Sequence, residues 1–175
     1  MSKILIVGGG AAGMMAGVYL ARAGHEVHIL EKNEKLGKKV YITGKGRCNV
    51  TNNCDTEELF GAVMSNPKFL YSAFYTFDSS RMMEFLIEEG LKIKTERGNR
   101  VFPQSDHSSD VIRTLERAMK KRGVTRISIN PQTMCADTLA LIGRRHSPQD
   151  IFDCFTQAKD IGFNSINADL IAGLP

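Results

Sequence analysis

No metal-binding cysteine pattern, no membrane-length apolar run and no basic stripe interleaved with aromatics occurs in this 175-residue chain. The four cysteines, Cys48, Cys54, Cys135 and Cys154, form no CxxC or CxxxCxxC spacing, so neither a zinc site nor an iron–sulfur cluster is indicated and no metal ligand is assigned. Without an export signal they are expected to be reduced thiols. Cys48 sits in a loop with glycine and arginine, where its pKa could be lowered, but a buried inert thiol is the better match. No apolar stretch reaches the roughly 18 residues of a membrane span. Lys3 does precede an apolar stretch to Ala21, and Ala21-Arg22-Ala23 imitates a cleavage site. Five glycines and a polar periodic continuation distinguish that stretch from a signal peptide, so a cytoplasmic chain without membrane contact is expected. The lack of an aromatic-interleaved basic stripe sets nucleic-acid binding aside. No side chain stands out as a general acid or base: His107 reads as a surface histidine at a helix start, and catalytic residues stay unassigned.

Charge is short toward the C-terminus. Residues 1–123 carry 19 Lys or Arg against 14 acids, and residues 124–175 carry 4 against 5, within a net charge of +4. A basic excess suits a phosphate-bearing ligand, although a solvated surface is its commoner meaning. The asymmetry also hints at two origins for the two segments.

What is present is concentrated in the first 31 residues. Lys3-Ile-Leu-Ile-Val7 reads as a strand, Gly8-Gly-Gly-Ala-Ala-Gly13 as a glycine turn, the stretch to Gly24 as a helix, and Glu26-Val-His-Ile-Leu30 as a second strand ending on Glu31. This is a dinucleotide-binding fingerprint in context. Gly8 allows the tight turn, Gly10 lets backbone approach a pyrophosphate, and Gly13 lets helix pack on strand. The helix starting near Ala11 aims its N–H groups and positive dipole end at the phosphates. Glu31, eighteen residues after Gly13, can accept hydrogen bonds from both ribose hydroxyls and would repel a 2′-phosphate, which favours FAD or NAD over NADP.

After Glu31 comes a loop from Lys32 to Asn53 with a short strand expected at Val40-Tyr-Ile42; so long a stretch without periodicity suggests a functional loop. Asp55 with Glu58 predicts a capped helix to about Met64. Pro67 opens a second helix carrying Phe69, Leu70, Phe74 and Tyr75, and Ser79 or Ser80 caps a third through Glu89, ended by Gly90. The apolar residues of these helices are expected in a core. Leu91–Thr95 and Arg100–Phe102 predict a hairpin around Gly98-Asn99. Ser108, Ser109 and Asp110 start a helix with Val111, Ile112, Leu115 and Met119 on one face, closed by Gly123. The pattern then restarts. A strand is expected at Arg126–Asn130, a short helix at Asp137–Ile142, and a helix opened by Ser147-Pro148-Gln-Asp150 with Ile151, Phe152, Phe155, Ala158 and Ile161 as its apolar stripe. A last strand spans Ser165–Ile171 and finishes at Gly-Leu-Pro175. Such a βαβ unit requires a neighbouring sheet.

The strings Leu36-Gly-Lys-Lys39 and Thr43-Gly-Lys-Gly-Arg-Cys-Asn-Val-Thr-Asn52, with Arg100-Val-Phe-Pro-Gln-Ser105 and Ser108-Ser-Asp-Val-Ile112, resemble a family of FAD-dependent, NAD(P)-linked oxidoreductases that includes aminoacetone oxidases and a bile-acid reductase. The resemblance covers about residues 1–123. It implies that the loop lies along the flavin and its diphosphate, with roles for Gly44, Gly46, Arg47, Asn49 and Thr51. Small residues permit close approach to a planar ring, and Arg47 with Lys39 or Lys45 can neutralise diphosphate charge. A flexible basic surface loop is the alternative. The candidate cofactor contacts are therefore Gly8, Gly10, Ala11, Ala12, Gly13, Glu31, Lys32, Lys39, Gly44, Gly46, Arg47, Asn49 and Thr51.

Residues 124–175 resemble something else. Arg126-Ile-Ser-Ile-Asn-Pro-Gln-Thr-Met134, Leu141-Ile-Gly-Arg-Arg-His146 and Ile166-Asn-Ala-Asp-Leu-Ile-Ala-Gly-Leu-Pro175 are similar to an inner piece of radical-SAM enzymes related to oxygen-independent coproporphyrinogen dehydrogenase. The three-cysteine cluster motif of that family is absent, so radical chemistry is not expected. The expected architecture is α/β: an incomplete Rossmann-like FAD-binding domain with a helical insertion over residues 1–123, then a βαβ fragment over 124–175. A genuine fusion, a rearranged gene and a sequence-assembly artefact all predict this string. Two functions compete. One is an FAD-dependent oxidoreductase taking hydride from NAD(P)H for a small organic substrate. The other is a truncated or chimeric dinucleotide-binding module without turnover, which the lack of a second, nicotinamide fingerprint favours.

Overall fold

Residues 3–31 build the expected strand, helix and strand: β1 (Lys3–Val7), α1 (Ala11–Arg22) and β2 (Glu26–Glu31). The computed structural model describes residues 1–124, 126–163 and 165–172; Gly173-Leu-Pro175, the expected end of the last strand, lies outside them. After β2 come α2 (Lys38–Ile42), a 3-10 turn at Thr43–Gly46, β3 (Thr51–Asn52) and α3 (Thr56–Gly61). A second 3-10 turn at Pro67–Leu70 leads into α4 (Tyr71–Thr76) and α5 (Ser79–Glu88), then the hairpin β4 (Ile93–Glu96) and β5 (Arg100–Pro103). The chain closes with α6 (Ser108–Lys121), β6 (Arg126–Gln132), α7 (Ala136–Leu141), α8 (Pro148–Ile161) and β7 (Ser165–Leu170).

Two compact units result. One contains Met1–Val40 and Leu115–Pro175, the other Tyr41–Thr114. The first holds a parallel sheet in the order β1-β2-β6-β7. The neighbouring sheet required by the C-terminal βαβ is thus the fingerprint sheet itself: Ile29 of β2 aligns with Ile127 of β6, and Ile127 with Ile166 of β7. The fold is an α/β Rossmann-like arrangement with a helical insertion.

One face of this sheet carries the core. Ile29, Ile127 and Ile129 are fully buried there, and a methyl group placed on Gly17 of α1 would lie 3.2 Å from both Ile29 and Met119 of α6. Both helices therefore pack on the same side, and Gln157 of α8 donates to Glu116 of α6 at 3.0 Å. Truncating fully buried Met119 to alanine would cost about 2–5 kcal/mol. The residues of β1 that point the other way, Leu5 and Val7, are 57% and 82% exposed. Parallel sheets are ordinarily covered on both faces, so this edge is unusually bare.

Local signals explain most termini. Ser147 accepts from the Asp150 amide at 3.2 Å while Asp150 accepts from the Ser147 amide at 2.7 Å, and Gly162 ends α8 at φ +88°. Asp55 and Glu58 form the same reciprocal cap on α3.

Several expectations are corrected. Val40–Ile42 is helical, part of α2 rather than a strand, and the helical turn satisfies its own backbone without a neighbouring strand. Asp78, not Ser79 or Ser80, caps α5, accepting from the Arg81 amide at 2.9 Å; a carboxylate one residue earlier reaches the same N–H. The α3 helix stops at Gly61 rather than Met64. The aromatics of α3 and α4 do not form a sealed core: Phe60 stacks with Tyr71, Phe74 and Tyr75 with centroids 5.3–5.7 Å apart, yet Tyr71 and Tyr75 are half-exposed and Phe69 is 80% exposed. Phe152 is exposed because it lies one position round the helix from buried Ile151.

Candidate dinucleotide site

The strand-to-helix turn is shaped by its glycines in distinct ways. Gly8 has φ +103°, a conformation side chains rarely adopt. A side chain on Gly13 would overlap the Gly8 carbonyl oxygen, so the close approach of α1 to β1 requires glycine. Gly10 is the helix cap at φ −75° and meets nothing within 4 Å of where its Cβ would be. It leaves an open cradle in front of the first turn of α1. Gly10 supplies no side-chain cap, so the amides of Ala11, Ala12 and Gly13 head a helix whose first turn holds no acid.

Glu31 closes the other side. It is 6% exposed, and its carboxylate accepts from the Gly9 amide at 2.7 Å, the Asn33 amide at 2.7 Å and Asn33 Nδ2 at 2.6 Å. These bonds fix it at the tip of β2. Gly9 is clasped a second time, because its carbonyl accepts from the Gly37 amide at 2.7 Å while Leu36 fills the space a Gly9 side chain would use. The segment from Glu31 to Gly37 therefore wraps the glycine turn. Sequence reasoning passed over Gly9, Asn33, Leu36 and Gly37; the extra glycine, beyond the three the fingerprint needs, was the available signal. Lys32 and Lys39 are exposed, and the Lys32 carbonyl accepts from Arg144 at 3.2 Å.

The remaining candidates lie in the second unit. Gly44 and Gly46 form the 3-10 turn, with Gly46 at φ +91° and Lys45 at φ +54°. Arg47 donates from Nη2 to Glu96 at 2.7 Å and from Nε to Asp106 at 2.9 Å, and its guanidinium lies 4.2 Å from the Phe102 ring centre. Lys94 adds bonds to Asp106 at 2.6 Å and Glu96 at 3.3 Å. Hydrogen bonds from Lys94 and Arg47 hold the Asp106 carboxyl below its usual range, and those from Arg47 hold Glu96 down likewise. The charge expected to face a diphosphate is matched inside this network. Thr51 Oγ1 lies 3.0 Å from Ser79 Oγ, and Asn49 is exposed. A cleft of about 390 Å³ is lined by Tyr41, Ile42, Lys45, Gly46, His107, Ser108 and Ser109. The cysteines are free thiols; burial pushes Cys48 up and Cys154 up to about 12, while hydrogen bonds with Thr138 lower exposed Cys135.

A parallel sheet with a glycine turn, an uncapped helix N-terminus and a carboxylate ending the second strand defines a Rossmann-type domain. The family model described as HI0933-like protein Rossmann domain matches residues 2–140, and the chain belongs to that family. It is 35% identical to the 3-dehydro-bile acid delta(4,6)-reductase of Clostridium scindens over 126 residues, 71% of this chain and 30% of that protein. It is 39% identical to the heme chaperone HemW of Bacillus subtilis over 99 residues, 51% of this chain and 26% of that one, which meets the second resemblance. A ribosomal RNA dihydrouridine synthase of Haemophilus influenzae is 31% identical over 90 residues, 51% of this chain and 22% of that protein. The chain thus spans less than a third of the length of these relatives. Among the described residues no helix is long and apolar enough to cross a membrane.

Proposed function

We propose that this chain is an adenine-dinucleotide-binding module whose ligand is FAD. The observation that carries this reading is the open space at Gly10, the cap of α1, beside Gly9, whose amide anchors the Glu31 carboxylate. Amides of the first helical turn would take the diphosphate, Glu31 would take the ribose, and Gly8 and Gly13 would keep the turn in shape. Relatives whose names speak of a bile acid and of ribosomal RNA both resemble this chain, which points to the dinucleotide site rather than a substrate site as the common property.

The exchange of hydride or electrons is chemistry that FAD supplies when bound, and the protein's part is to bind and orient it. A full oxidoreductase using NAD(P)H and a small organic substrate is the second reading, favoured by the 35% identity to a reductase. In it Gly44, Gly46, Asn49 and Thr51 would contribute backbone and short side chains to flavin binding and Lys32 and Lys39 positive charge, whereas Arg47 would first have to release Glu96 and Asp106. A division near Gly123 between two ancestries, and a cytoplasmic location without nucleic-acid or membrane partners, belong to the same proposal.

Titration of the purified chain with FAD tests the first reading through the visible flavin band, flavin fluorescence and melting temperature. Saturable binding with a rise in melting temperature is expected, since a ligand at 100 times its Kd stabilises by about 2.7 kcal/mol. A folded chain that leaves all three signals unchanged contradicts it. Oxidation of NAD(P)H by the loaded chain distinguishes the second reading from the first.

A further inference from the structure

The turn between α7 and α8, residues 142–147, lies beyond the residues matched by the family model, yet two of its side chains reach the segment that wraps the glycine turn. Arg144 donates to the Lys32 carbonyl at 3.2 Å. His146 Nδ1 lies 3.2 Å from Glu34 Oε2, with both side chains at least 96% buried. Lys38 holds the same Glu34 oxygen at 2.7 Å. A carboxylate can only accept here, so Nδ1 carries the imidazole proton and Nε2 is left with a lone pair. That Nε2 is buried and has no hydrogen-bond partner among the described residues.

We propose that Arg144 and His146 are positioning residues for the dinucleotide site: they grip Lys32 and Glu34 and so hold the Glu31–Gly37 segment closed around Gly9. The inference rests on reading the glycine turn as that site. The chain of contact is continuous. His146 fixes Glu34, Glu34 lies between Asn33 and Leu36, and Asn33, Leu36 and Gly37 are the residues that anchor Glu31 and clasp Gly9. Neither Arg144 nor His146 need touch the ligand.

The grip is sensitive to acid. Burial lowers the His146 pKa below its ordinary value; Glu34 and Asp150 draw it up, and Lys38 and Arg144 push it further down. A second proton would fall on Nε2, where it has no acceptor. A depressed histidine pKa makes the contribution complete above the unfolded value of about 6.5 and lost as pH falls through the lower folded value.

The test is amide hydrogen exchange at Gly9 and Gly37 in the full chain without ligand, together with FAD affinity, for wild type, Arg144→Ala, His146→Ala and His146→Asn, across pH 5 to 8. Arg144→Ala and His146→Ala should each speed exchange and weaken FAD binding, on the order of tenfold for His146→Ala, the scale of one hydrogen bond to a buried charge. His146→Asn keeps a donor at the Nδ1 position without a titrating ring. It should match wild type at pH 7.5 and, after correction for intrinsic rates, lack the acid-side acceleration that wild type shows. Unchanged protection in Arg144→Ala and His146→Ala, or identical pH profiles for wild type and His146→Asn, overturns the proposal. Should His146→Ala not fold, the half-buried Arg144→Ala and the pH comparison decide. If FAD fails to bind wild type, the site reading falls, while the exchange of Gly9 and Gly37 still decides the positioning role.

Discussion

The turn at residues 8–13 is shaped by backbone, whereas the loop at residues 43–53 is held by charged side chains. In the first, helix amides, a positive-φ glycine and a buried carboxylate bonded to three N–H groups leave little freedom. In the second, Arg47, Lys94, Glu96 and Asp106 satisfy one another on a surface where each keeps 28–40% of its side-chain exposure. A backbone cradle keeps its donors pointed at a ligand whether or not one is present. A matched charge network must give up internal partners before it can serve an anion.

Substituting Gly13 by valine attacks the backbone turn most severely. The new side chain overlaps the Gly8 carbonyl, which cannot yield without separating α1 from β1, so a loss of about 3 kcal/mol or more is expected, seen as a large drop in melting temperature. Next is Glu31→Ala, which strands the Gly9 and Asn33 amides and should cost about 1–3 kcal/mol by chemical denaturation, together with weaker FAD binding. Full stability after Glu31→Ala would show that these bonds are not holding the segment.

The charged loop should respond in another way. Asp106 and Glu96 have depressed pKa values, so their support is present above the unfolded carboxylate range near 4 and is lost as pH falls through the lower folded values. Arg47→Ala should move both titrations up toward ordinary values, measurable by carbon NMR of the carboxyls; unmoved titrations would mean that Lys94 alone sets them. The smallest effect is that of salt. Molar sodium chloride should shift the same two titrations upward by screening, while leaving the protection of the Gly9 amide untouched.

The same contrast explains what the residues could tell in advance. Strand, glycine turn, helix and terminal acid were legible because each is a local requirement: φ at Gly8, close approach at Gly13, the β2 tip at Glu31. The caps at Asp55 and Ser147 were readable for the same reason. The ion-pair partners of Arg47 are not legible, because Glu96 and Asp106 are 49 and 59 residues away in the chain and only tertiary folding brings them together. Gly9 escaped because its need for glycine comes from Leu36, and His146 because its partner Glu34 is far away in the chain and only folding brings the two together. Pairing of β6 with β2 was likewise beyond local pattern: a βαβ signal states that a sheet is needed, not which one.

The central claim is that the space in front of Gly10 belongs to a ligand. Gly10→Val puts a side chain there at an ordinary φ with no protein atom within 4 Å of its Cβ, and replacing the helix cap should cost only about 1 kcal/mol. The most direct measurement is FAD affinity of this variant beside wild type, with melting temperatures recorded in parallel. The account predicts a folded Gly10→Val chain that no longer binds FAD while wild type does; equal affinity in the two would contradict it.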